Sequence, residues 1–309
     1  MTIRSSVGVA RGNDLIRAVA EAAAATRRTA EQDAPKAALV LTAGKADRGS
    51  VVEAMHEAWG PIPLVGAAVD AILTDQGAVE AGASVACFFG DALNPSFAAA
   101  GHVAGLAAAA DRVGRLILSG NAYRRHYPRG LALVFARPDA QGLPTEFLAR
   151  WREIVGPKLR TVFSQVSSGL LYTAGSEDPG CLVVLCLEGA YQTGLGVAQG
   201  FAVGDSIPDA STLAHGAADA AVTAVKRLEG QPVRAALVAE SVFRHRGLAA
   251  ASPDEWHEMR ERIGAGVNCV GWLTRSECAS GHGVVPNGLT GSMIVAALGD
   301  IVPVASAKH

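Results

Sequence analysis

The chain reads as an α/β protein built from three related helix–β–α–β–β units that share one core and form mixed sheets. Three observations predict this. The tripeptide Ala-Leu-Val recurs at 38–40, 132–134 and 236–238. An Ala-rich stretch with apolar residues at three- and four-residue spacing precedes each copy, as a half-buried helix requires. A short amphipathic stretch, an apolar run, a polar turn and a second apolar run follow each copy in the same order. Five elements recurring in one order mark an internal repeat.

The long helices are expected from Asp14 to Arg28, Ser96 to Arg115 and Ser211 to Leu228, with Asn13 or Asp14, Ser96 and Ser211 as N-caps. The first strand of each unit carries the tripeptide. The shorter helices are Ser50–Trp59, Thr145–Val155 and Pro253–Ile263. Each meets a glycine, Gly60, Gly156 or Gly264, which can take the left-handed conformation of a C-cap. The next strands are Pro63–Ala68, Leu159–Val166 and Val267–Thr274, and the last are Ser84–Phe89, Leu182–Glu188 and Met293–Leu298. Strand–helix–strand order implies parallel pairs with right-handed crossovers. No unit is large enough to bury both sheet faces alone, so the three are expected to share a core. The joins fall at Asp91–Pro95 and Ala190–Asp209.

Composition narrows the function classes. Of 309 residues, 27 are Lys or Arg and 29 are Asp or Glu, a net charge of −2, which leaves no electrostatic footprint for nucleic acid. No apolar run is long enough for a membrane span. Met1 to Asp14 lacks a signal-peptide core, and the five cysteines form no CxxC pair, which fits reduced thiols in the cytoplasm. No HExxH and no zinc spacing occurs among the histidines, so no metal site is expected. Gly194, Gly196 and Gly200 are spaced GxGxxxG, one residue off the dinucleotide fingerprint, and no GxxxxGK[ST] is present.

Two segments carry a family resemblance. Val65-Gly66-Ala67-Ala68-Val69-Asp70-Ala71-Ile72 is similar to the strand-and-turn pattern of FIST proteins, with Ala71 where glycine is usual. Val270-Gly271-Trp272-Leu273-Thr274-Arg275-Ser276-Glu277, followed by Pro286-Asn287-Gly288-Leu289-Thr290, resembles the C-terminal part of that family, with Pro286 where the family has histidine. On this resemblance residues 6–205 form a FIST N-like part with two units, about 13–90 and 96–189, and residues 206–303 a FIST C-like part with the third. The resemblance implies a sensory domain that binds a small ligand, an amino acid or carboxylate. A separate signalling protein such as a histidine kinase would read the bound state. Some members bind haem and sense nitric oxide.

The repeats place Asp70, Ser168 and Arg275 at equivalent turns, which a three-fold arrangement brings around one axis. A ligand pocket there would be lined by Arg124, Ser168, Trp272, Arg275, Glu277 and Asn287. Arg275 and Glu277 suit a zwitterion, and Trp272 an apolar wall. Ser119–His126 is a dense polar and aromatic run, and Phe243–Arg246 a basic loop on the same mouth or simply exposed. His102, His126, His215 and His282 are the candidate haem ligands. A hydrolase or isomerase is the other alternative. Ring-opening amidohydrolases have three α/β repeats with a Ser–Lys pair from each, but the lysines here do not recur at equivalent positions. Cys278, beside Glu277 and four residues before His282, or a turn serine among Ser164, Ser167, Ser168 and Ser276, would then be the nucleophile.

Overall fold

The computed structural model describes residues 3–30, 33–91, 93–101, 103–119, 130–175, 179–189, 191–199, 209–248, 252–280 and 291–301. The first unit comprises β1 (Arg4–Arg11), α1 (Leu15–Thr29), β2 (Ala37–Ala43), α2 (Arg48–Trp59), β3 (Leu64–Val69), the short pair β4 (Ile72–Thr74) and β5 (Gly77–Val79), and β6 (Gly82–Phe89). The second comprises β7 (Leu93–Ala99), α3 (Leu106–Ser119), β8 (Gly130–Ala136), α4 (Pro144–Val155), β9 (Leu159–Gln165), β10 (Leu171–Thr173) and β11 (Leu182–Gly189). The third comprises β12 (Tyr191–Ala198), α5 (Ala210–Lys226), β13 (Val233–Ser241), α6 (Val242–Leu248), α7 (Ser252–Ile263), β14 (Asn268–Thr274), β15 (Ser276–Ser280) and β16 (Met293–Ile301).

Three mixed sheets result, with strand orders β1-β6-β2-β3-β10, β7-β11-β8-β9-β15 and β12-β16-β13-β14-β4-β5. All three follow one plan. The strands flanking each short helix, β2 and β3, β8 and β9, β13 and β14, pair in parallel. The last position in every sheet is filled from another unit. β10 of the second unit pairs antiparallel with β3 of the first. β15 of the third pairs with β9 of the second, and β4 of the first pairs with β14 of the third. The exchange closes into a ring. One face of every sheet contributes to a common interior, where Leu39, Leu41, Leu133, Phe135, Leu237, Trp272 and their neighbours form one cluster. The other faces pack under α1 and α2, α3 and α4, and α5 and α7, in three separate helix-side layers.

The sequence reading needs four corrections. Each unit opens with an additional strand and carries a further short strand, β4, β10 or β15, before its last, so the common repeat is β–α–β–α–β–β–β. Ser96 lies in β7, where its Oγ is 2.9 Å from Glu188 Oε1, and not at a helix start. The third long helix is capped by Asp209, which accepts from Thr212 N at 2.9 Å, rather than by Ser211. Phe243–Arg246 belongs to α6 and not to a loop. These opening strands mix serine, threonine, proline and glycine with apolar residues, which masks the strand pattern. Asp14 does cap α1, accepting from Arg17 N at 3.1 Å, and Gly60 and Gly156 close α2 and α4 at positive φ.

Glycine in the opening strands has a packing reason. A Cβ on Gly196 would stand 1.8 Å from the Ala220 carbonyl oxygen of α5, and one on Gly8 2.0 Å from Ala22 O of α1. Helix and strand backbones are therefore in contact, which Ala on one side and Gly on the other permit. Gly196→Ala is expected to cost about 2 kcal/mol or more by overpacking. Gly266→Ala, at a site with nothing within 4 Å, should stay within about 0.5 kcal/mol of the parent. Urea unfolding of the two variants measures the contrast.

Candidate functional site: a buried carboxyl cluster

Most polar side chains of the buried interior are single hydroxyls. One end of the third sheet is different. Glu240, Ser241, Arg244, Glu255, Glu277 and Ser292 are all buried there, and the three glutamates and the arginine are at most 2 % exposed. Glu240 and Ser241 end β13, and Ser292 precedes β16. Arg244 comes from α6, Glu255 from α7 and Glu277 from the exchanged strand β15. The cluster thus lies at the carboxyl ends of parallel strands, where α/β sheets gather their ligands.

Hydrogen bonds link the group. Arg244 Nε donates to Glu255 Oε1 at 2.7 Å, and the guanidinium also donates to the backbone oxygens of Leu213, Gln199 and Gly291. Ser241 Oγ accepts from Gly291 N at 3.1 Å. Ser292 donates to Glu277 Oε1 twice, from N at 3.0 Å and from Oγ at 2.5 Å. Two carboxyl oxygens, Glu277 Oε2 and Glu240 Oε1, are buried with no hydrogen bond. His245 Nδ1 stands 3.5 Å from Glu240 Oε1.

A carboxylate enclosed away from water loses its hydration, so burial favours the protonated forms of Glu255 and Glu277. Burial pushes the Glu277 carboxyl up to about 8, against the pull of the two Ser292 hydrogen bonds. Burial and the charge of Glu240 also raise Glu255, against the pull of Arg244.

The interior side of the cluster includes Ser164 and Trp272. Glu277 and Ser164 are direct cross-strand partners in the β9–β15 pair, so their side chains share the inner face. Trp272 Nε1 donates to Ser164 Oγ at 3.0 Å, and the indole packs on Phe135 with ring centres 5.5 Å apart. Alternate residues of a strand face opposite ways. Cys278 therefore points outward, into the apolar layer with Phe163, Val134 and Val155.

Of the sequence-predicted residues, Glu277 and Trp272 come together. Arg275 is exposed at its turn, its backbone N–H 2.9 Å from Gln165 O. Ser168 Oγ donates to Ala68 O at 2.6 Å and accepts from Leu170 N, a turn-stabilising role. Ser167 Oγ donates to Asp70 Oδ2 at 2.7 Å, which joins two of the three equivalent turns. Arg124 and Asn287 lie outside the described residues, as do His102, His126 and His282. His215 is exposed on α5 with Nδ1 2.7 Å from Ser211 O of its own helix. Cys278, in an apolar layer, is corrected from nucleophile to core residue. Arg244 is corrected from exposed loop to buried anchor. Glu240, Arg244, Glu255 and Ser292 were not singled out as one site by sequence. The signal that existed was a Glu-Ser pair, 240–241, closing the apolar run 235–239. Among the described residues no group of three His, Cys, Asp or Glu side chains is placed to hold a metal ion, and no helix is long and apolar enough to cross a membrane.

No protein-family model matches the chain, and no curated protein sequence matches it. Solved structures with a similar course of chain include cyanuric acid hydrolase from A. caulinodans, at 12 % identity and a TM-score of 0.43 over 97 % of this chain and 100 % of that one. A second cyanuric acid hydrolase has 9 % identity and a TM-score of 0.45, covering 96 % and 100 % of the two chains. A chorismatase has 8 % identity and a TM-score of 0.46, covering 97 % and 99 %. At these values the chemistry is read from this chain's own residues.

The raised carboxyl has a consequence for stability. Its folded pKa of about 8 lies above its ordinary value of 4.5. Between those values the folded state holds a proton that the unfolded state has lost. This contribution is complete below pH ~4.5 and is lost as pH rises through ~8. Glu277→Gln should remove one proton's share of that slope, on the order of 1 kcal/mol per pH unit. Denaturant unfolding of parent and variant from pH 5 to 9 measures it.

Proposed function

We propose that the chain is a small-molecule hydrolase or isomerase that works by proton transfer at Glu277. The observation that supports this most is the state of that carboxyl. One oxygen is fixed by two donors from Ser292, the other is unclaimed, and burial holds the pKa near 8. At neutral pH the group is an acid close to its own pKa, the condition under which a side chain both gives and takes a proton efficiently. It can protonate a leaving group or carbonyl oxygen and recover the proton later in the cycle.

The surrounding groups define what it meets. The donors of Arg244 that the structure records are spent on Glu255 and three carbonyls. The unclaimed atom, Glu277 Oε2, belongs to a carboxyl group, and so does Glu240 Oε1, which makes no hydrogen bond and faces His245 Nδ1 at 3.5 Å. The site therefore favours a neutral or donor-bearing molecule over a carboxylate, which separates this reading from an amino-acid or carboxylate sensor using the same cluster. Trp272 occupies one lone pair of Ser164 Oγ and leaves its proton available on the face shared with Glu277. Ser164 is accordingly the serine placed to act with the acid.

Turnover should be sought by mass spectrometry across cyclic amides and imides, lactones and enol ethers. Glu277→Gln is expected to lower kcat about 10²- to 10⁴-fold, the usual contribution of a positioned acid or base. Ser164→Ala should also lower it, and Cys278→Ala should leave it within a few-fold. Turnover undiminished in Glu277→Gln would sink the proposal. Saturable binding without turnover, lost in Glu277→Gln, would replace it with the sensor reading.

A further inference from the structure

The seam between β1, the edge strand of the first sheet, and the third sheet holds a cavity of about 550 Å³, a size that suits a small molecule. Its lining comes from β1, from the turn between β4 and β5, and from the turn between α7 and β14. Alternate residues of β1 face opposite ways, and Gly8 is turned against α1, so Val7, Val9 and Arg11 face the cavity together. Val9 is 39 % exposed there, an apolar surface that the described chain leaves uncovered.

The lining is charged unevenly. Its cations are Arg11 and Arg260, and its one carboxylate among the described residues is Asp75. The exchanged strand β4 carries Asp75 to α7, where Arg260 is only 8 % exposed. Arg260 Nε donates to Asp75 Oδ1 at 2.8 Å, and Trp256 Nε1 donates to the same oxygen at 2.9 Å. Arg260 Nη2 reaches Ala265 O at 3.3 Å, and Nη1 is enclosed without a hydrogen bond. The Cys269 thiol borders the same guanidinium. Burial pushes that thiol up to about 12, so it stays neutral and supplies no counter-charge. Arg11 Nη2 reaches Gln76 O at 3.4 Å, longer than a usual hydrogen bond. The two guanidiniums are thus held by neighbouring residues of one turn, Asp75 and Gln76, and each keeps donor capacity in reserve. Two cations against one carboxylate leave one positive charge unmatched in the lining.

We propose that this cavity binds a small monocarboxylate with an apolar body, its carboxylate taken by Arg11 and Arg260 and its body resting on Val7 and Val9. A carboxylate offers paired acceptors to a guanidinium fork and matches the single surplus charge. Asp75 disfavours a dianion such as phosphate, and the valines favour a ligand with hydrocarbon to bury. The site shares no residue with the Glu277 cluster. It lies at the amino end of β14, and Glu277 follows that strand's carboxyl end.

Thermal unfolding of the full chain tests this with isovalerate, with its neutral isostere isovaleramide, and with inorganic phosphate, each against sodium chloride at matched ionic strength. The expected result is a saturable rise in Tm with isovalerate that exceeds those in chloride, phosphate and the amide, because a ligand that binds the folded state stabilises it by mass action. Arg260 also anchors Asp75, so the exposed Arg11 is the residue to change. Arg11→Gln should fold as the parent does and raise the half-saturating isovalerate concentration about tenfold, the usual loss for a hydrogen bond to a charged group. Val9→Glu, which sets a competing carboxylate in the cavity, should abolish the rise. Glu277→Gln should leave it unchanged. An isovalerate rise no greater than that in chloride overturns the proposal, and so does an equal rise with the amide or a larger one with phosphate. A rise that persists undiminished in Arg11→Gln and Val9→Glu, or that disappears in Glu277→Gln, puts the ligand elsewhere and overturns it as well.

Discussion

The closed exchange of strands governs this molecule. Each unit lends a short strand to another unit's sheet, and each sheet is completed by a loan. β10 lies on β3, β15 on β9 and β4 on β14. Backbone hydrogen bonds therefore tie every unit to both others, and the interior cluster draws side chains from all three sheets. The candidate site is a product of the same arrangement. Glu277 belongs to the third unit in sequence, yet its strand lies on the second unit's sheet opposite Ser164. Ser292, Glu240, Arg244 and Glu255 approach from the third unit itself. The carboxyl cluster comes from the third unit, and the exchange is what sets it against Ser164 of the second.

Desolvation is what gives that constellation its chemistry. In water three glutamates would ionise and one arginine would do little to prevent it. Enclosed away from water, Glu255 and Glu277 are pushed toward keeping their protons. The raised Glu277 pKa thus follows chiefly from burial, to which the charge of Glu240 adds a smaller push. Such an arrangement costs stability, and strained or undercompensated polar groups of this kind concentrate where function requires them.

The fold was legible to the extent that burial imposed a simple pattern. The central strands around each Ala-Leu-Val, the short helices ended by Gly60 and Gly156, and the final strands are buried on both faces or sharply terminated, so composition and punctuation locate them. β1 and β12 escaped because they face a helix so closely that only glycine fits, as at Gly8 and Gly196, and glycine reads as loop, while in β7 Asn94, Pro95 and Ser96 read as a join. The exchange also left no local signal. β4, β10 and β15 are short, and their partners lie about 100 to 200 residues away by the pairings observed. At the site, Glu277 and Trp272 stood out as polar and aromatic residues at a turn in an apolar context. Glu255 and Arg244 did not, because their partners come from different elements, and a buried ion pair on two helices looks like two solvated charges in sequence. Cys278 illustrates the converse error. Adjacency to Glu277 in sequence means opposite faces in a strand.

The ring of loans also constrains the order in which a ribosome can deliver this structure. The first sheet waits for Leu171–Thr173, the second for Ser276–Ser280, and Ile72–Thr74 has no place to pair until Asn268–Thr274 has been made. A nascent chain carrying the first unit complete still has one sheet edge open and one strand unpaired. Until Asn268–Thr274 has been made, Ile72–Thr74 lacks its partner strand, and an open strand of this kind is prone to aggregate.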